Sequence, residues 1–151
     1  MVEGMRTRIA REERGTALVE AAIIIPLVLL LMVGIFEVGR LYQTFQVLTN
    51  ATREGARASV VPSGDVPTVK AVVTQYMQDG QLAAANAATV NVDRAASIVV
   101  NGTAIGASLV TVDYPFQFMV LQPVAQLVVK GSTAGQPFTI RTTALMRNEA
   151  M

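Results

Sequence analysis

The chain has 151 residues, room for one small domain and a membrane anchor but not for two sizeable domains. Twelve basic residues against eleven acidic ones leave a formal charge of +1 with no lysine-rich stripe, which argues against a nucleic-acid partner. Cys and His are both absent, so disulfides, thiolate nucleophiles, the usual zinc ligands and imidazole bases are excluded, and an exported domain here must hold together by packing alone.

Apolar residues make up 52% of the chain and the mean hydropathy is +0.44, too high for an ordinary soluble domain. The excess lies near the N-terminus. A polar leader carrying Arg6, Arg8, Arg11 and Arg14 is followed by sixteen uncharged residues, Ala21 to Phe36, set between Glu20 and Glu37. As a helix that stretch spans about 24 Å, short of the roughly 30 Å hydrocarbon core. Adding Thr16 to Val19 makes a full span, but only by drawing Glu20 into the bilayer or to its edge. A carboxylate deep in a membrane helix costs on the order of 2.5 to 3.5 kcal/mol, so it calls for a positive partner, unless Glu20 only marks the border of a short signal anchor. No A-x-A-like cleavage pattern follows the apolar run, which speaks against ordinary signal-peptide removal. The leader arginines favour a cytoplasmic N-terminus, although Arg40, Arg53 and Arg57 on the far side make the bias modest.

Pro26 removes one backbone donor and frees the carbonyl of Ala22, so a local kink is expected there. Beyond Glu37 the apolar residues Val38, Leu41, Tyr42, Phe45 and Leu48 recur at three- and four-residue spacing, predicting an amphipathic continuation toward Ala58. A helix from Thr16 to Ala58 would be about 64 Å long. Glu37 and Arg40, three apart, can form a weak surface pair, but an ordinary solvated helix face is the reading favoured for them. Gly34 and Gly39 are five apart and so do not make the small-xxx-small pattern.

The stretch "VVPSGDVP" reads as a loop that ends this helix. Val69, Val72, Val73, Tyr76 and Met77 predict a short amphipathic helix closing near "QDGQ". From Thr89 the period shifts toward two, and Asn101-Gly102 inside "SIVVNGTAI" is the strongest hairpin signal in the chain. Val110, Val112, Tyr114, Phe116 and Phe118 define one face of a strand, with Pro115 expected to confine that end to an edge or bulge. Phe138, Ile140, Thr142, Ala144 and Met146 alternate with polar neighbours in a last strand. A sheet of three or four strands needs one face covered, which the outer half of the long helix and the Val69 to Met77 helix can supply. Met77, Met119 and Met146 are expected to fill that core. The expected fold class is α+β.

No arrangement in the sequence points to catalysis. Asp65, Asp79, Asp93 and Asp113 lack calcium-loop spacing, no Ser or Thr has a recognisable base, and no G-K-[ST] follows a glycine pair. The triplets Asn50-Ala-Thr52 and Asn101-Gly-Thr103 match the glycosylation pattern but arise readily by chance. Neither an enzyme, a cofactor, a metal nor a small-molecule substrate is expected.

The stretch from Gly15 to Glu20, G-T-A-L-V-E, resembles the type IV prepilin processing site. That resemblance implies cleavage by a membrane aspartyl prepilin peptidase between Gly15 and Thr16, with Glu20 as the fifth mature residue pairing with the new amine of the same or a neighbouring subunit. Together "GTALVEAAIIIPLVLLLMVGIFEVGR", "NATREGARAS", "VTVDYPFQF" and "TTALMRNE" resemble the TadE-like family, pilin-related membrane proteins of the tight-adherence (Flp pilus) machinery. Ala21 stands where major Flp pilins carry an aromatic residue, and the chain is far longer than they are, so a major pilin is not implied. The resemblance implies a type IV pilin-like arrangement: a leader at 1–15, a helix at 16–58 divided into a membrane half (16–36) and an amphipathic half (37–58), and an α+β head at 59–151. It also implies bacterial inner-membrane placement with a periplasmic head, a role as minor pilin or pseudopilin, and as partners the peptidase, other pilins and the assembly platform. A membrane-tethered binding module with an uncleaved anchor is the alternative from a different class.

Overall fold

The computed structural model describes residues 3–61, 64–128 and 130–148. By contact the chain divides into two compact units, Met1–Val38 and Gly39–Met151. One helix, α1 (Glu3–Ser59), runs through the division. It starts well before the expected Thr16, because the Arg, Glu, Met and Ala of the leader are good helix formers and no proline stops the helix there. The side chains of the leader arginines, and Pro62 and Ser63 of the expected loop, lie outside the described residues.

In the first unit α1 is the only described element, and it passes through Pro26 without losing helical form. In the second unit, α1 from Gly39 onward packs with α2 (Val66–Asp79), a 3-10 turn (Ala85–Ala87), strands β1 (Thr89–Val100) and β2 (Thr103–Phe116), α3 (Leu121–Val128) and β3 (Phe138–Arg147). The result is an α+β fold with a three-stranded antiparallel sheet in the order β1-β2-β3.

Local chemistry accounts for most element ends. Asp65 caps α2 by accepting the Thr68 N–H at 3.1 Å, and Pro67 occupies the first turn, where a missing donor costs nothing. At the other end Gln81, not Gly80, takes the left-handed conformation with φ 58°, while the Leu82 N–H reaches back to the Met77 carbonyl. Gly80 answers a different need, since a Cβ there would press on the side chain of Val47. Asn101 and Gly102, with φ 51° and 80°, form the two-residue turn between β1 and β2, as the Asn-Gly pair predicts. The β1–β2 ladder shifts register between Asp93 and Ala96, where β1 carries one extra residue and the Ala95 N–H donates to the Asp93 carboxylate.

Strand β2 is central, pairing Val110 with both Val92 and Ala144, and Val112 with both Val90 and Thr142. Pairing with β1 stops at Asp113, so Pro115 lies where β2 has a neighbour on one side only. Val110, Val112, Tyr114 and Phe116 point into the core with Ile140 of β3, against Leu48 and Ala51 of α1 and Val69, Val73 and Met77 of α2. Gly55 allows this close approach, because a Cβ there would collide with Val73 and sit 3.4 Å from Val110. Thr52 and Thr142 carry hydroxyls inside the core. They lie 2.6 Å apart, and the Thr52 hydroxyl also donates to the Leu48 carbonyl at 2.6 Å.

Two expectations about packing are corrected. Met77 is core, but Met119 is 66% exposed and Met146 also reaches solvent, because they fall beyond or at the far end of the covered part of the sheet. Helix α3 was not expected: "LQPVAQLV" is a bare two turns, and Pro123 masks its helical period although it sits in the tolerant first turn.

Candidate functional site: the apolar stem

The candidate site is the stretch of α1 in the first unit. Leu18, Val19, Ile23 to Ile25, Leu27 to Met32, Ile35, Phe36 and Val38 are all between 46% and 72% exposed. Burying one such side chain is worth roughly 1.5 to 3 kcal/mol, so a helix bearing this many bare ones is stable only with lipid or other helices around it. The stretch contains an 18-residue window apolar enough to cross a membrane, and none of that window is buried within the chain.

Gly15, Thr16 and Glu20 all lie on this helix with their surfaces open to solvent. Thr16 and Glu20 are four apart, so they sit one above the other on one face, with roughly 5–6 Å between Cβ atoms. Thr16 and Glu20 are therefore neighbours one turn apart on this helix. Pro26 lies six residues further on, inside the exposed apolar stretch.

Glu37 departs from the sequence reading. It is 1% exposed, so it is not part of a solvated face. Arg40 is partly exposed; its guanidinium stacks over the Phe116 ring at 4.6 Å and donates to the Gln117 carbonyl. Three-residue spacing shows that two side chains share a helix face but cannot show what else covers that face. Phe116 in turn meets Phe118 edge-on at 5.3 Å and Phe138 at 5.4 Å, an aromatic cluster that no single sequence motif announces.

In the second unit Arg141 and Asp113 form a cross-strand fork, with Nε to Oδ1 at 2.6 Å and Nη2 to Oδ2 at 2.9 Å. The guanidinium holds the Asp113 carboxyl below its ordinary value, and the carboxylate raises Arg141. Asp65 is likewise lowered, chiefly by the hydrogen bonds it takes at Thr68. Shallow hollows flank Tyr76, lined by Val72, Gln75 and Asp79 on one side and Val47, Asn50 and Gly80 on the other. Among the described residues the carboxylates form no group of three that could hold a metal ion.

Comparison with curated proteins and with solved structures returns no match. A family model does match: residues 15–57 fit the model described as TadE-like protein. The matched segment opens at Gly15, takes in Glu20 and the whole exposed apolar stretch, and ends within the part of α1 that packs on the sheet. The long helix of this chain is thus similar, over residues 15–57, to that of TadE-like proteins, while the match leaves the sheet and the shorter helices uncovered.

Proposed function

We propose that the chain is a minor pilin or pseudopilin of the tight-adherence pilus, acting through helix packing rather than catalysis. The observation that carries this reading is the TadE-like match over Gly15 to Arg57, on a helix whose membrane-grade side chains are bare. In this reading a prepilin peptidase cuts between Gly15 and Thr16 and removes the charged leader. The new ammonium of Thr16, in the same or a neighbouring subunit, then meets the Glu20 carboxylate and offsets the cost of holding it in lipid. The leader lies in the cytoplasm, the helix crosses the inner membrane, and the α+β unit faces the periplasm. The partners are the peptidase, other pilins or pseudopilins, and the assembly platform.

The i, i+4 relation of Thr16 and Glu20 supports the pairing, because a carboxylate one turn from a free amine needs no backbone change to reach it. The test is to replace Glu20 with Gln and with Asp in the pilus-forming host. Glu20→Gln should keep the protein in the membrane and still allow cleavage while assembly falls, and Glu20→Asp should restore part of it. Normal assembly with the neutral residue would rule out the pairing role.

A further inference from the structure

Between Asp113 and Arg141 the sequence carries a single charged residue, Lys130. This segment ends β2, forms α3 and the turn after it, and begins β3, all within the second unit. Along α3, at about 100° per residue, Leu121, Val124 and Ala125 fall on one side and Gln122 and Gln126 on the other. Gly135, with φ 76°, lies so close to α3 that a Cβ there would sit 2.7 Å from the Gln122 nitrogen, so the following turn covers the helix at Gln122. The apolar side is not closed off by the core. None of Leu121 to Gln126 is fully buried, Met119 just before the helix is largely exposed, and Phe138 just after the turn is 41% exposed.

We propose that this segment is a lipid contact: the apolar side of α3, with Met119 and Phe138, enters the headgroup region of a bilayer, and Lys130 meets anionic headgroups. The inference rests on the reading of α1 as a membrane helix. Three observations select lipid as the partner. The first is position. Arg40 stacks over Phe116 and donates to the Gln117 carbonyl, four residues before α3. Arg40 itself is three residues past Glu37, where the apolar run ends, a rise of about 4.5 Å along a helix. Chain connectivity alone thus roots the segment at the edge of the stretch that a bilayer would hold. The second is charge. With no carboxylate between Asp113 and Arg141 and with Lys130 exposed, anionic headgroups meet attraction and no repulsion. The third is the lack of directional chemistry. Both glutamines of α3 lie away from its apolar side, which therefore offers no hydrogen-bonding side chain. Protein interfaces carry about one hydrogen bond per 100–200 Å², whereas acyl chains require none.

The chain contains no Trp, so one introduced indole reports alone. Full-length chains carrying Met119→Trp, Val99→Trp at the end of β1, or Leu31→Trp in the stem are reconstituted into vesicles of phosphatidylcholine and phosphatidylglycerol with brominated acyl chains, and acrylamide is added from the water. All three positions are more than half exposed, so the indole displaces no core contact. Met119→Trp is expected to lose most of its emission to the brominated chains and little to acrylamide, and Val99→Trp to do the reverse. Adding Lys130→Glu to the Met119→Trp chain, or using phosphatidylcholine alone, should shift the quenching toward acrylamide. Quenching of Met119→Trp from the water would overturn the lipid contact, as would acyl quenching equal to that of Val99→Trp. Shielding of Met119→Trp from both quenchers would overturn it in favour of protein cover. Acyl quenching indifferent to both Lys130→Glu and lipid charge would overturn the assignment of anionic headgroups. Leu31→Trp separates this inference from the reading it rests on: acyl quenching there with none at Met119→Trp refutes the α3 contact alone, and none at either position refutes both.

Discussion

Thr52 of α1 and Thr142 of β3 join helix to sheet through hydroxyls that are 1% and 7% exposed as residues, and their geometry makes the two unequal. Thr52 donates to the Leu48 carbonyl at 2.6 Å, so the proton shared between the hydroxyls comes from Thr142. Thr142 has only one other acceptor near it, the same Leu48 carbonyl at 3.5 Å, which is at the limit of a hydrogen bond. Replacing Thr142 with Val leaves the Thr52 hydroxyl satisfied and removes one neutral bond, a loss of about 0.5–1.5 kcal/mol. Replacing Thr52 with Val strands the Thr142 hydroxyl in the core and should cost about 1–3 kcal/mol. With both replaced, no orphan remains and the shape is nearly kept, so the double variant should be more stable than the sum of the singles predicts, by about 1 kcal/mol. Urea unfolding of the full chain in micelles, followed by the loss of β-sheet circular dichroism, measures all four proteins. Additive costs, or a larger cost for Thr142→Val than for Thr52→Val, would refute the assigned direction of the bonds.

Gly55→Ala should lower stability by about 1–2 kcal/mol in the same assay, because its methyl overlaps the fully buried Val73 and the overpacking exceeds the gain in helix propensity. A more stable variant would show that α1 and α2 are less tightly apposed than described. Gln81→Gly should raise stability by about 1 kcal/mol, since glycine adopts φ 58° without the steric cost a side chain carries. Asp113 is held below the usual carboxylate range in the folded state, so its contribution is complete above that range and is lost as pH falls through the lowered value. The difference in unfolding midpoint between the wild type and Asp113→Asn should therefore be largest near neutral pH and shrink as pH falls below the usual carboxylate range. A difference that does not change with pH would contradict the Arg141 fork as its cause.

What the sequence made legible follows from how each signal arises. An all-round apolar run too long for so small a domain to bury reads as a helix that leaves most of its side chains bare, and that is what Ile23 to Met32 form. Alternation marks β2 and β3 because one face of each packs on α1 and α2, and Asn101-Gly102 marks the hairpin because the backbone there needs positive φ twice. Features that depend on tertiary neighbours were not legible. The burial of Glu37, the Arg40 stack on Phe116 and the exposure of Met119 depend on which elements meet, and no local pattern encodes them. The extra residue in β1 near Arg94 and the short α3 leave too few residues for a period to show. In the stem, the sequence singles out Gly15, Thr16, Glu20 and Pro26 as expectations, and the helix adds the one-turn relation between Thr16 and Glu20.

The central claim is that the stem functions as a processed pilin helix, with the Glu20 carboxylate matched by an amine created on cleavage. The intact mass of the protein extracted from the membranes of its pilus-forming host tests this most directly. A mass corresponding to residues 16–151, with Thr16 at the N-terminus, is the predicted result. A mass that still includes the residues before Thr16 would contradict it, because no new ammonium would then exist for Glu20 to meet.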